Sequence, residues 1–152
     1  MGLDMYLHKK TYVKNWDFMK DSEKHDVTVM QNGKICEDIK KERISYIIEE
    51  VAYWRKANQI HKWFVDNTQG GKDECRESYV MKSQLETLLN LCRECLEYPH
   101  KAPKLLPTEE GFFFGSTAYD EFYFRDLKET EKMLSELLKE ESHDGFFYSA
   151  SW

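Results

Sequence analysis

Polar and apolar residues alternate at the start of the chain, and other spacings follow further along. Residues 3–7 alternate strictly, which predicts an opening strand. Residues 9–25 mix charges with scattered aromatic side chains, so we interpret them as a partly packed loop. Residues 27–36 predict a hairpin, because Asn32 and Gly33 tolerate the positive φ angles of a type I′ turn between two short β-prone runs.

The central segment carries the densest helical pattern. Apolar residues at i, i+4, i+7 and i+11 predict a buried stripe, which comprises Tyr53, Ala57, Ile60 and Phe64. We predict one long helix over residues 41–66. Over residues 44–52 the β-branched side chains leave a strand as the alternative. Residues 67–71 end the helix, since the two glycines there suit a left-handed cap.

Two more helices are predicted in the second half. Ser83 and Glu86 have the spacing of a capping box, and a leucine-rich helix follows to Tyr98. A fixed crossing loop comes next, marked by Pro99, Pro103 and Pro107. Ser116 or Thr117 then caps a helix that ends at residues 143–145. Helical spacing predicts its buried face: Tyr123, Leu127, Thr130, Leu134, Leu137 and Leu138.

Two aromatic segments complete the predicted sheet. Gly111–Gly115 is interpreted as a short strand between glycines, and residues 146–152 as a terminal strand. The sheet then joins the two terminal strands, the hairpin and the Phe112–Phe114 strand. The predicted fold is α+β, one domain over residues 1–152, with a small mostly antiparallel sheet and about three packed helices.

Composition narrows the class of protein. A length of 152 residues fits one domain, and 14% aromatic content excludes a disordered chain. The net charge of −6 argues against general nucleic-acid binding, which relies on clustered lysine and arginine. The start lacks a secretory pattern, and no apolar run is long enough to cross a bilayer. We therefore expect a cytoplasmic protein without a membrane partner.

The four cysteines predict free thiols. Cys92 and Cys95 form a C-x-x-C within a leucine-periodic helix, while Cys36 and Cys75 stand alone. This pattern is typical of packed cysteines and lacks the turn residues of a zinc site. We expect no metal and no cofactor.

A mixed polar and aromatic edge beside the predicted stripe is the first candidate binding surface. It comprises Trp54, Asn58 and His61, and Arg55 adds a cation nearby. His61 is of the residue type that serves as a general base or a phosphate ligand. The structural alternative is a histidine that closes the core and hydrogen-bonds a carbonyl.

The turn at residues 115–120 is the second candidate. Gly115 precedes Ser116 and Thr117 at a predicted helix start, with Tyr119 and Asp120 following. Free N–H groups at such a turn suit a phosphate or carboxylate, although the same residues also cap ordinary helices. We expect this turn to matter if the fold places it beside the Trp54–Asn58–His61 edge and forms a pocket.

Catalytic signatures are sparse, so enzymatic activity stays open, with binding favoured. The acidic residues Asp120, Glu121 and Asp126 offer a hypothetical divalent-metal site, but nothing fixes their spacing. One alternative hypothesis is therefore a small metal-dependent hydrolase or nuclease that uses His61 with Asp120 or Glu121. Another is a structural or assembly protein that uses its aromatic C-terminus, where Trp152 lies.

Four blocks of the chain resemble a family of small uncharacterised proteins found in bacteriophages and Gram-positive bacteria. They are Gly2–Leu7, Tyr53–Asn67, Gly111–Leu127 and Ser149–Trp152. The resemblance implies an accessory protein of phage or mobile-element origin. By analogy, such a protein acts on host machinery or host defence by binding. The leading hypothesis is a non-enzymatic binding protein that engages a host protein or a nucleotide-like ligand through the Trp54–Asn58–His61 edge and the turn at residues 115–120. The resemblance transfers no catalytic residue, and it leaves the oligomeric state open.

Overall fold

Strands and helices alternate irregularly along the chain. The structure, a computed structural model, describes residues 2–141 and 145–152. The strands are β1 (Asp4–Tyr12), β2 (Met30–Gln31), β3 (Lys34–Ile35), β4 (Tyr46–Arg55), β5 (Ser78–Val80) and β6 (Phe146–Ser151). The α-helices are α1 (Asn58–Thr68), α2 (Lys82–Glu97), α3 (Ala102–Leu105) and α4 (Glu121–Leu137).

Four strands form one antiparallel sheet in the order β4-β1-β6-β5. Alternating side chains explain the position of β1 in the sheet. Leu3, just before the strand, and Met5 and Leu7 within it are fully buried, while Tyr6 and His8 point to the other face. Helices α1, α2 and α4 pack against this face and supply much of the same core. The α+β class and the antiparallel sheet are confirmed, and the closing strand lies where the sequence predicts it. The opening strand is also present, but it continues to Tyr12, so the interpretation of residues 9–12 as part of a loop is wrong.

The predicted helix over residues 41–66 is wrong in its first half. Residues 46–55 form β4, which pairs with β1 from Tyr12↔Tyr46 to Asp4↔Arg55, and the helix α1 begins only at Asn58. The β-branched and aromatic side chains of this segment favour a strand once a partner strand is present. Tyr53 therefore lies on the outer sheet face at 42% exposure instead of in a buried helical stripe.

A long excursion separates β1 from β4. It spans residues 13–45, and of these only Val13 is buried. Asn32 and Gly33 have φ angles of 51° and 76°, so the hairpin prediction is confirmed. The hairpin strands β2 and β3 form a separate two-stranded sheet, however, so the prediction that they join the main sheet is wrong.

The aromatic segment Gly111–Gly115 is a turn and not the predicted strand. The Phe114 amide donates to the Gly111 carbonyl at 3.1 Å, which closes the turn. A side chain at Gly111 would lie 2.7 Å from the Phe114 ring, so glycine permits this ring to fold back. The turn is fixed to the sheet because the Leu3 amide donates to the Phe113 carbonyl at 3.1 Å.

Two predicted helix caps are also wrong. Helix α2 begins at Lys82, and the Gln84 side chain accepts from the Met81 amide at 2.9 Å, so Ser83 lies inside the helix. Asp120 caps α4 in place of Ser116 or Thr117, because its carboxylate accepts from the amides of Phe122 and Tyr123. A carboxylate at this position satisfies free N–H groups and complements the helix dipole.

The remaining predictions concern helix ends and faces. The buried face of α4 is confirmed at Tyr123, Leu127, Thr130, Leu134 and Leu137, while Leu138 is half-buried. The proline loop contains the short helix α3. The predicted end of the last helix at His143 and Asp144 lies outside the described residues. No helix in the described ranges is both long and apolar enough to cross a membrane.

Candidate functional site

A cleft of about 410 Å³ lies where β4 passes into α1 and meets the segment that leads into α4. We call it the basic cleft. Its lining includes Arg55, Lys56, Gln59, Gly115, Ser116, Asp120, Phe122, Arg125 and Asp126. Its volume lies within the range of about 300–1,000 Å³ that is typical of small-molecule sites.

An unusual backbone turn at Lys56 builds one wall of the basic cleft. Lys56 has a φ angle of 55°, the left-handed region that non-glycine residues seldom occupy. Its amide donates to the Leu3 carbonyl at 2.8 Å, so the turn is held by β1. Gly115, with a φ of 81°, packs against it, since an added Cβ there would lie 3.3 Å from the Lys56 Cβ. Strained positions of this kind concentrate at binding sites.

The turn around Ser116 forms the opposite wall of the basic cleft, and Asn58 attaches this turn to α1. Its amide nitrogen Nδ2 donates to the carbonyls of Phe114 and Ser116, each at 2.9 Å. Its oxygen Oδ1 accepts from the Glu109 amide at 3.0 Å. Asn58 is only 1% exposed, so it is fully engaged and positions the turn rather than facing a ligand.

Positive charge dominates the basic cleft although the chain as a whole is acidic. Arg55, Lys56 and Arg125 form no ion pair within residues 2–141 and 145–152. Arg125 lies over the ring of Phe122, with its guanidinium carbon 4.9 Å from the ring centroid. Phe122 is itself 54% exposed, so an aromatic face stands beside the cations.

Asp126 makes the charge of the basic cleft dependent on pH. Burial raises the pKa of this carboxyl to about 6, while a hydrogen bond from Gln59 acts in the opposite direction. Gln59 is 2% exposed and also donates to the Tyr123 carbonyl at 3.3 Å. Above pH 6 the Asp126 carboxyl is therefore mainly ionised and joins Asp120 beside the three cations. Below pH 6 Asp126 is mainly neutral, so the net positive charge of the cleft is larger.

The turn also offers backbone donors. Within the described part of the chain, the amides of Gly115, Ser116 and Thr117 donate to no protein acceptor. The Ser116 hydroxyl accepts from the Ala118 amide at 3.1 Å, which shapes the turn. Free amides next to arginine side chains are typical of oxyanion sites.

The structure brings together only some of the sequence-predicted site residues. Arg55, Ser116 and Asp120 line the basic cleft, and Asn58 lies behind its wall. Trp54 is 3% exposed beneath α4, where its indole donates to the Thr130 hydroxyl at 2.8 Å.

Thr117 and Tyr119 belong to the side of the turn that faces Thr108. The Thr108 hydroxyl donates to the Thr117 carbonyl at 3.0 Å, and the backbone amide of Thr108 donates to the Tyr119 hydroxyl at 3.1 Å. The neighbouring cation Lys62 contacts Asp66 at 3.0 Å and Glu109 at 3.3 Å, so it takes no part in the basic cleft.

His61 lies away from the basic cleft in a buried hydrogen-bond chain. Its Nδ1 is 2.6 Å from the Tyr148 hydroxyl and its Nε2 is 2.7 Å from Oδ2 of Asp73. Burial raises the pKa of Tyr148 well above its usual range, so this hydroxyl keeps its proton and shares a hydrogen bond with Nδ1. Nε2–H then donates to Asp73, whose other oxygen accepts from the Trp152 indole at 3.1 Å. Both nitrogens are engaged at 1% exposure, which matches the structural role for His61.

Potential metal ligands do not converge in the described ranges. No group of three or more histidine, cysteine, aspartate or glutamate side chains is placed to hold an ion there. All four cysteines are free thiols. Burial raises the pKa of Cys92, and it raises that of Cys95 to about 11, so these two thiols are unreactive at neutral pH.

Sequence reasoning missed Lys56, Gln59 and Arg125 as lining residues. Arg125 and Asp126 follow Phe122 at spacings of three and four, so they share one face of α4 away from the buried stripe. That spacing was available as a signal. Lys56 and Gln59 face the cleft only because a strand ends at Arg55 and a helix begins at Asn58.

Comparison with known proteins gives no further assignment. No protein-family model matches the chain, and neither curated proteins nor solved structures show a significant match.

Proposed function

We propose that the chain is a non-enzymatic binding protein whose basic cleft takes a small phosphorylated, nucleotide-like ligand. The observation that carries this proposal is the convergence of Arg55, Lys56 and Arg125, which form no ion pair within the described residues, in one cleft. Cations of this kind complement a phosphate, and the planar arginine groups bind its oxygens in pairs.

The aromatic and amide groups favour a nucleotide over a simple anion. The exposed ring of Phe122 provides a stacking surface for a base at the edge of the cleft. Asp126 offers a carboxyl group to a ribose or base edge. The free amides of Gly115 and Ser116 add donors for phosphate oxygens.

A binding role also fits the absence of a reactive pair in the cleft. Its cations lie beside Asp120, which caps α4, and beside a serine hydroxyl that accepts a backbone amide. Neither group forms a hydrogen bond with a side-chain base among the described residues. We therefore expect the ligand to dissociate from the cleft without chemical change.

The test measures thermal stabilisation by adenosine diphosphate and by inorganic pyrophosphate, with a metal chelator present. Binding to the folded state raises the melting temperature as ligand concentration increases. Arg125→Gln should weaken both ligands about tenfold, the effect of losing one charged hydrogen bond. Phe122→Ala should weaken the nucleotide and leave pyrophosphate unaffected.

Lys128→Gln is the matched control, because Lys128 is an exposed cation on α4 outside the cleft. Asp126→Asn should tighten binding at pH 7.5 and have little effect at pH 5, where the carboxyl with a pKa of about 6 is already protonated. Comparing both proteins at each pH cancels the ligand's own titration. The proposal would be refuted if neither ligand raised the melting temperature. It would also be refuted if Arg125→Gln and Lys128→Gln weakened ligand binding equally.

A further inference from the structure

A second cavity, of about 350 Å³, combines aromatic walls with carboxylates. We call it the acidic aromatic pocket, and define it by Asp73, Glu109, Glu110, Phe112, Phe113 and Trp152. No lysine or arginine lines it among the residues that the structure describes. Its charge is thus opposite to that of the basic cleft.

The aromatic walls are held in place by specific contacts. The Trp152 indole donates to Oδ1 of Asp73 at 3.1 Å, and its ring lies edge-on to Phe114 with centroids 5.9 Å apart. Phe112 and Phe113 lie edge-on to each other at 4.8 Å. The hydrogen bond and the edge-on contact of Trp152 fix one ring surface before any ligand arrives, which lowers the entropy cost of binding.

Among the residues that the structure describes, Phe112 is the most exposed large apolar side chain, at 95%. It lies at the tip of the turn that Gly111 and Phe114 close, so the backbone presents it outward. The core does not use this ring. A phenylalanine presented in this way is typical of a contact point for another molecule.

The carboxylates define the charge of that molecule. Glu110 forms no ion pair within residues 2–141 and 145–152. The other two carboxylates have partners: Glu109 forms an ion pair with Lys62 at 3.3 Å, and Asp73 contacts His61 at 2.7 Å. A cation between these carboxylates and the ring faces gains both ion pairing and a cation–π contact. An apolar or anionic ligand gains neither.

We propose that the acidic aromatic pocket binds an arginine side chain presented by a partner polypeptide. A guanidinium group is planar, so it stacks on a ring while its edge donates in pairs to a carboxylate. Phe112 or Trp152 supplies the ring and Glu110 the unpaired carboxylate. The pocket is separate from the basic cleft and does not depend on a ligand there.

The experiment follows the indole N–H resonance of Trp152 by nuclear magnetic resonance, assigned with Trp152→Phe. The titrant is a capped Gly-Arg-Gly peptide, and a capped Gly-citrulline-Gly peptide of the same shape lacks the charge. We expect a saturable shift with the arginine peptide at millimolar concentration and none with citrulline. Phe112→Ala combined with Glu110→Gln should weaken binding about tenfold.

Both substitutions lie on exposed side chains, so the fold should persist. Phe122→Ala is the control, since it removes another exposed aromatic ring in the other cleft. Equal shifts with citrulline, or unchanged affinity in the double variant, would overturn the proposal. Tighter binding of tetramethylammonium than of the arginine peptide would overturn it too, in favour of a small quaternary ammonium ligand.

Discussion

His61 joins three separate parts of the chain through a single ring. It lies on α1, its Nδ1 hydrogen-bonds with the Tyr148 hydroxyl on β6, and its Nε2 donates to Asp73 in the loop before β5. Phe64 also stacks on Tyr148, with ring centroids 4.0 Å apart. Removal of the imidazole leaves a buried hydroxyl and a partly buried carboxylate without their partner.

We predict that His61→Ala lowers the free energy of unfolding by about 2–4 kcal/mol, from the cavity and the two lost hydrogen bonds. Urea denaturation followed by circular dichroism measures the loss. His25→Ala is the matched control, because His25 is exposed, and its effect should stay within about 0.5 kcal/mol. A loss below about 1 kcal/mol for His61→Ala would contradict the structural role.

The junction between β4 and α1 is the element on which the basic cleft depends. Lys56 occupies the left-handed region there and interrupts the regular backbone for one residue. Because glycine adopts such angles without a steric penalty, the side chain at this position is kept at a cost in stability.

We predict that Lys56→Gly is more stable than Lys56→Ala by about 1 kcal/mol, since only the glycine relieves the backbone strain. Both variants should lose affinity for phosphorylated ligands equally, because both lack the ammonium group. Chemical denaturation measures the first effect and ligand-dependent melting the second. Equal stability of the two variants would show that the turn carries no strain.

Elements stabilised by local contacts were predictable from the sequence. The Asn32-Gly33 hairpin and the buried faces of α2 and α4 follow from turn chemistry and helical spacing. The strand β4 could not be predicted from its own residues, because its apolar spacing fits both a helix and a strand. Its pairing with β1 decides in favour of the strand. The same applies to Gly111–Gly115, whose aromatic composition hides a turn.

The candidate site was partly predictable for a related reason. Three of the predicted residues, Arg55, Ser116 and Asp120, line the basic cleft. Two of them were predictable because they lie in the turn at residues 115–120, which has the composition of a helix start. A single helix over residues 41–66 places Lys56 in mid-helix, away from the turn. Its true position depends on where a strand ends, and long-range pairing sets that end.

At the scale of the whole molecule, the excursion over residues 13–45 lies outside the main core. It carries exposed apolar side chains, among them Phe18 at 86% and Ile35 at 66%. Its two ends meet directly, because the Val13 amide donates to the Ser45 carbonyl at 2.9 Å. The main sheet therefore continues to the foot of the excursion without needing the rest of it.

We predict that replacing residues 14–44 with Asn-Gly preserves the fold. The shorter loop lowers the entropy cost of closing β1 on β4 by about 2 kcal/mol, which offsets the lost surface contacts. Far-ultraviolet circular dichroism and urea denaturation measure the result. The same replacement of residues 99–109 is the control, since it removes the buried Ala102 and Leu106 and should abolish folding. Unfolding of the shortened protein would contradict the prediction.

The central position of β6 has a consequence for partly folded molecules. β6 lies between β1 and β5, so it provides one of the two ladders of residues 4–9 and the single ladder of residues 78–80 within the described sheet. Any intermediate that lacks β6 leaves one edge of β1 unpaired and β5 without a neighbour. Open strand edges beside apolar side chains recruit other chains. The docking of one six-residue strand therefore separates a self-contained molecule from a species prone to aggregation.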